Sequence, residues 1–233
     1  MESWLDFAMG PLFAFTFLFM VVGLIRQAVV QFYNLTRKKG RRLGDVRWGG
    51  VLRETLSWVI PIRHISPGSR IFSTASFLMH IGLIGVPLLL VDHVALWEAF
   101  TGLDLPAMGK ELADFLTLFT IGCVLVLLTL RTFVARQRIM SRPMDYAILV
   151  LILVPFTTGY MASHPAVNPV GWQAMMLIHV LSGEALFLAV PFSKLSHIVL
   201  FFFDRVSAVH WQLRPGAGDR VAEALMRKEV RAS

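Results

Sequence analysis

The chain has 233 residues, of which 56% are hydrophobic, and carries a formal net charge of +7. Its mean hydropathy of +0.65 is typical of an integral membrane protein and excludes a soluble enzyme. The only cysteine, Cys123, excludes an intrachain disulfide and a cluster held by several cysteines. The basic residues flank apolar segments, so the positive charge indicates membrane topology and no nucleic-acid partner.

Five apolar segments have the length needed to cross a hydrocarbon layer about 30 Å thick. The first is preceded by the acidic residues Glu2 and Asp6 and followed by Arg26, whereas a signal peptide usually has a basic start. We therefore predict an all-α, five-helix membrane bundle in which the first segment is retained. The segments are Phe7 to Ile25, Ile71 to Val91, Phe115 to Leu130, Tyr146 to Ser163 and Val170 to Phe203. A loop is expected from His93 to Asp114, between the second and third segments.

The distribution of basic residues predicts the orientation of the bundle. Of the 22 lysines and arginines, all but Lys110 and Lys194 fall at the ends that would face the cytoplasm. The N-terminus is therefore expected outside and the C-terminus in the cytoplasm. We divide the chain into a first transmembrane helix (1–33), a basic cytoplasmic connector (34–70), a four-helix core (71–203) and a cytoplasmic tail (204–233). Short surface helices are expected over Val51 to Ile60 and over Asp219 to Val230.

Four of the histidines in or beside these segments fall at two matched depths. His179 and His197 are 18 residues apart, which is five turns of a continuous helix and about 27 Å along its axis. Ionisable side chains at membrane depth usually mark function, and imidazole is a common axial ligand of haem iron. The orientation matches His80 with His197 in the inner half and His93 with His179 in the outer half. We predict that these two pairs hold two stacked haem b groups.

One detail disagrees with a straight second helix. Thirteen residues place His93 roughly 140° around such a helix from His80. Either Pro87 shifts the phase of the helix, or His93 lies beyond its regular part. His164 is a second candidate for the outer ligand. The competing interpretation is that all these histidines are polar side chains hydrogen-bonded within the bundle.

Three motifs carry a resemblance to a known family. They are VLSGEALFLAVPFSKLSHI directly after His179, FLMHIGLIG around His80, and DYAILVL at Asp145. The chain resembles, from about Phe72 to Phe203, the gamma subunit of respiratory nitrate reductase, a five-span cytochrome with two b haems. That subunit has its outer histidine where this chain has Leu90, and its connector is shorter. The chain is more similar to cytochrome b subunits of sulfate- and sulfur-metabolising complexes.

The resemblance implies a function and a set of partners. It implies electron exchange with menaquinone or another quinone near the outer haem, in the inner membrane of a prokaryote. A cytoplasmic iron–sulfur subunit similar to heterodisulfide reductase, and further membrane subunits, are expected as partners. It also implies that Arg131 pairs with haem propionates and that Lys110 lies near the quinone site. For both residues the alternative is an ordinary charge at the membrane boundary.

Two other classes of protein remain open from the sequence. A transporter or channel would use Glu184 and Lys194 on a polar pathway and would bind no haem. A membrane anchor would hold a cytoplasmic enzyme through the basic connector and tail, without a working cofactor. Neither class explains four histidines at two matched depths.

Overall fold

The computed structural model describes residues 2–39, 48–59 and 69–209, together with Glu223. Over these ranges the chain is all-α, with no strand, and five helices are long and apolar enough to span a membrane, as the sequence predicts. The helices are α1 (Glu2–Phe7), α2 (Phe13–Lys39), α3 (Trp48–Val59), α4 (Arg70–Leu89), α5 (Val91–Thr101), α6 (Lys110–Phe133), α7 (Ala135–Met140), α8 (Pro143–Ser163), α9 (Trp172–Ala189) and α10 (His197–Val209).

The described residues form two compact units. The first unit lies within Met1–Val22 and Ile65–Leu195, and the second within Gly23–His64 and Ser196–Ser233. In the second unit α3 packs against α10 and corresponds to the surface helix expected from Val51 onward. The helix expected over Asp219 to Val230 lies outside the described residues, apart from Glu223.

The core of the first unit is a row of four helices. Helix α4 packs on α6, α6 on α8, and α8 on α9, so that neighbours in sequence are neighbours in space. Small residues set the spacing of this row. Gly82 faces Thr120, whose hydroxyl is fully buried and donates to the carbonyl of Leu116 at 2.7 Å. Around this contact the core contains Met79, Val86, Val124, Leu127, Ile152 and Phe156.

Substitution of Gly82 by alanine should push α4 and α6 apart. A Cβ at this position would lie 1.8 Å from Thr120 Oγ1 and 3.0 Å from the Leu116 carbonyl oxygen. We expect a loss of about 1 to 3 kcal/mol, as for other overpacked cores, measured as a lower Tm in detergent. Gly85→Ala is the matched control, since its Cβ would meet only the end of Met108 at 3.9 Å. Equal Tm values for the two variants would contradict this packing.

The second span ends earlier than its apolar sequence suggests. The backbone turns extended at Leu90 (φ −62°, ψ 133°), and a new helix, α5, begins at Val91. The prediction of a loop from His93 onward is therefore wrong up to Thr101. The turn is stabilised because the last carbonyls of α4 find donors. The Pro87 carbonyl accepts from Trp97 Nε1 at 2.9 Å, and the Leu89 carbonyl from the Met108 amide at 2.7 Å.

The fifth apolar segment is also interrupted. Helix α9 ends at Ala189, two 3₁₀ turns follow around an extended Ser193, and α10 begins at His197. The continuous helix predicted from Val170 to Phe203 is therefore wrong. The physical reason is Pro191, which has no N–H to donate and whose ring clashes with the carbonyl four residues earlier. The argument that His179 and His197 are separated by five turns of one continuous helix consequently fails.

Candidate functional site: a buried histidine pair

His93 lies in the first turn of α5, three residues after the bend at Leu90. Its Nδ1 donates to the carbonyl of Val86 on α4 at 3.3 Å. Burial lowers the pKa of His93 below its ordinary value of 6.5, against smaller opposing effects of the Val86 carbonyl and Asp92. The ring is therefore neutral at neutral pH, and Nε2 carries the lone pair. A neutral imidazole with one free nitrogen is the form that binds a metal ion.

His179 is positioned by α8, the neighbouring helix. Its Nδ1 donates to the Pro155 carbonyl at 2.8 Å. Space for the ring is provided by Gly159, where a Cβ would lie 2.7 Å from His179 Cε1 and 3.0 Å from Nδ1. Helix α8 thus supplies both a hydrogen-bond acceptor and a gap of about one methyl group. Such contacts fix which ring nitrogen remains available to a ligand.

The rings of His93 and His179 lie close together with parallel planes. Their centroids are 6.0 Å apart and their planes differ by 3°. A metal–imidazole bond of about 2 Å and a ring radius of about 1.1 Å predict centroids about 6 Å apart for two imidazoles on opposite sides of one ion. In the part of the chain that is described, each Nδ1 has a main-chain acceptor and neither Nε2 has a hydrogen bond. The distance and the available nitrogens are therefore compatible with a metal held by both imidazoles.

The metal at such a site would have to bring most of its own ligands. Within the described ranges, no group of three or more His, Cys, Asp or Glu side chains could hold a bare ion. Haem iron meets this condition, since the porphyrin fills four positions and two side chains complete the set. The residues present therefore fit a haem better than a bare metal ion.

His164, the other candidate for the outer ligand, has different partners. Its Nε2 lies 3.2 Å from Asp114 Oδ2, and its Nδ1 donates to the Tyr160 carbonyl at 2.9 Å. The ring also stacks on Tyr160, with centroids 4.1 Å apart. Both nitrogens are thus occupied, so the structure favours His93 as the partner of His179. The bend at Leu90 is what allows this, since His93 does lie beyond the regular second helix.

The two histidines of the predicted inner pair, His80 and His197, belong to different compact units. His80 lies on α4, with Nδ1 2.6 Å from the Ser76 carbonyl oxygen, an arrangement similar to that of the outer histidines. His197 is the first residue of α10 and belongs to the second compact unit. That His80 and His197 bind one haem stays a prediction.

Arg131 takes part in a charged cluster at the end of α6. Its guanidinium donates to Ser141 at 2.8 Å, lies 3.9 Å from Asp145 Oδ2 and covers the ring of Phe72 at 5.0 Å. Its buried Nε has no partner among the described residues. Asp145 also accepts from Lys194 Nζ at 2.6 Å. Arg131 is thus held by protein groups, and its pairing with haem propionates stays a prediction.

Lys110 is exposed as the first residue of α6, and its role near a quinone stays a prediction. Gly159 was not singled out by the sequence analysis, although a glycine inside a span, four residues after Pro155, was a usable signal. An aromatic cluster was also missed. It joins α2, α5 and α9 and consists of Phe13, Phe17, Trp97, Phe100 and Phe187.

The fold and the histidine pair define the class of protein as a multi-pass, all-α membrane protein. The chain belongs to the same family as a protein of Nitratidesulfovibrio vulgaris (strain Hildenborough). The two are 34% identical over 157 residues, which is 67% of this chain and 68% of that protein. The relative is named only "Protein", a name that assigns no activity. No family model matches the chain, and no solved structure matches it significantly.

Proposed function

We propose that this protein is the haem b subunit of a respiratory membrane complex. It passes electrons between the quinone pool and a cytoplasmic iron–sulfur partner, through two bis-histidine haems. The observation that carries the proposal is the pair of parallel imidazoles of His93 and His179, 6.0 Å apart, each with Nδ1 on a main-chain carbonyl. The proposal agrees with the resemblance of the fifth segment to the nitrate reductase gamma subunit.

The haem would supply one-electron chemistry, and the chain would supply its position and surroundings. The Val86 and Pro155 carbonyls hold the two imidazoles in one tautomer, which makes each Nε2 a stronger ligand. The aromatic cluster connects α5, which carries His93, and α9, which carries His179, to α2. Because Gly159 has no side chain, the His179 ring has room to lie against α8.

Quinol oxidation on the outer side would release protons there. Asp92, Glu98 and Glu111 are exposed on the α5 side and at the start of α6, where they can accept these protons. Electrons would leave at the cytoplasmic end, where basic segments offer complementary charge to an acidic partner. The same parts can run in reverse as a quinone reductase.

The first test is a count of haem per chain. The protein is purified from membranes with haem supplied, and pyridine haemochrome is measured together with a reduced-minus-oxidised spectrum. We expect about two haems b per chain, reduced on addition of a menaquinol analogue. Purified chain with no haem would overturn the proposal and favour an anchor or a transporter. If haem is bound but the menaquinol analogue does not reduce it, the proposed electron exchange with the quinone pool is wrong.

A further inference from the structure

Glu184 is the most buried acidic side chain in the described ranges. Only 3% of its surface is exposed, and neither carboxyl oxygen has a hydrogen-bond partner there. Asp145, the next most buried acid, differs sharply, because Lys194 Nζ and the Arg142 amide bind it at 2.6 and 2.8 Å. A buried polar group without a partner costs free energy. Glu184 therefore does not stabilise the fold through an ion pair, as Asp145 does.

The helical register shows which way Glu184 faces. Three residues further on, Phe187 packs against Phe13 and Phe17 of α2. Three turns earlier on the same face, Gln173 donates to Glu2 of α1 at 3.4 Å. Glu184 therefore lies on the face of α9 that meets α1 and the beginning of α2. His179 lies about 140° around the helix, toward α8.

The surroundings of Glu184 contain no compensating cation among the described residues. The main segments packed against α9 are α1, the π turn Ala8–Leu12, α8 and the 3₁₀ turn Val190–Phe192, and α2 and α5 meet it at Phe187 and His179. The π turn and the 3₁₀ turn contain no ionisable side chain, and α2 contributes only apolar and hydroxyl side chains up to Val22. The titratable groups that α1, α5, α8 and α9 itself contribute are Glu2, Asp6, Asp92, His93, Glu98, Asp145, Tyr146, Tyr160 and His179.

We infer that Glu184 is an internal proton-binding group, which takes up a proton when an electron reaches the His93–His179 site and releases it when the electron leaves. The inference rests on the proposed function. A quinol that becomes a quinone gives up two electrons and two protons, so each electron entering the site has one proton to accompany it. The carboxylate binds that proton and becomes a neutral acid. The electron then passes to the iron–sulfur partner, and the proton returns to water.

The coupling is electrostatic. His179 and Glu184 are five residues apart on one helix, which places their Cα atoms about 9 Å from each other. In a buried, low-dielectric region a charge added at one position changes the proton affinity of the other. Added negative charge at the histidine pair therefore favours the protonated form of Glu184.

The test is a redox titration of the purified holoprotein at several pH values. In the wild type, the midpoint potential of the haem that His93→Ala removes should fall as pH rises. Full coupling of one proton to one electron changes the equilibrium tenfold per pH unit, or about 59 mV. Glu184→Gln, which keeps the size of the side chain, should abolish most of this slope. If the amide disturbs folding, Glu184→Met replaces Glu184→Gln in this test. Asp104→Asn changes an exposed acid and is the control, which should keep the wild-type slope.

A second readout does not depend on potentials. The reduced-minus-oxidised infrared spectrum of the wild type should show a protonated carboxyl band that is missing in Glu184→Gln. A wild-type potential that is independent of pH, or a slope and band that persist in both Glu184 variants, would overturn the inference while leaving the haem subunit intact. Purified chain without haem would instead overturn the proposed function, and the inference with it.

Discussion

Replacement of His179 by alanine should remove one of the two proposed haems and leave the other in place. His179 would provide one of two axial bonds, and no other described ring nitrogen near His93 is free to replace it. The Nε2 of His164, the other histidine on this side, is 3.2 Å from Asp114. We expect haem content to fall from about two to about one per chain, with loss of quinol-driven reduction of the remaining haem. Pyridine haemochrome and stopped-flow reduction measure both effects.

His164→Ala is the matched control for this experiment. It removes an imidazole from the same outer region, but from a ring stacked on Tyr160 and bound to Asp114. Haem content should stay at the wild-type value, with a small loss of stability from the broken pair. The assignment of the outer ligands would be wrong if His164→Ala lost a haem and His93→Ala kept both.

Gly159→Ala should weaken the same site without touching a ligand. The new Cβ would lie 2.7 Å from His179 Cε1, so the ring must move and lose its 2.8 Å hydrogen bond to the Pro155 carbonyl. Loss of a group that orients a metal ligand typically costs about tenfold to a hundredfold in metal affinity. We expect the outer haem to be lost during purification at low haem concentration and to be regained on addition of excess haem.

Gly122→Ala separates this effect from a general effect of alanine in a membrane helix. A Cβ at Gly122 would meet nothing within 4 Å, and alanine favours a helix over glycine by about 0.5 to 1 kcal/mol. Its haem content should match the wild type. If Gly159→Ala binds both haems as tightly as Gly122→Ala does, the proposed contact between Gly159 and the His179 ring is wrong.

The positions of the five spans were predictable, because long uncharged segments have few other stable conformations. The breaks were not predicted correctly, for two different reasons. Helix α5 is apolar but too short to span, so its sequence looked like part of a loop. The break after Ala189 had a visible signal in Pro191, but the apolar character of the flanking residues outweighed it in the interpretation.

The pairing of His93 with His179 could be predicted from their matching depths in the membrane. The groups that hold the two rings in place could not be predicted. Topology alone pairs His93 with His179, and the structure brings these rings within 6.0 Å. The groups that hold them are main-chain carbonyls of Val86 and Pro155, which every residue type possesses and no sequence pattern marks. The role of Gly159 likewise depends on which helix faces it. The inner pair, His80 and His197, stays a prediction.

The bend at Leu90 has a consequence for finding relatives of this protein. Because His93 lies on a separate short helix, its distance along the chain from His80 is not tied to the 3.6-residue repeat of one helix. An insertion or deletion at the bend changes this interval without interrupting either helix. A search pattern that demands a fixed interval between the two histidines will therefore overlook such chains. The interval from His179 to the proline of its own segment, and a glycine four residues after the proline of the preceding span, are better markers.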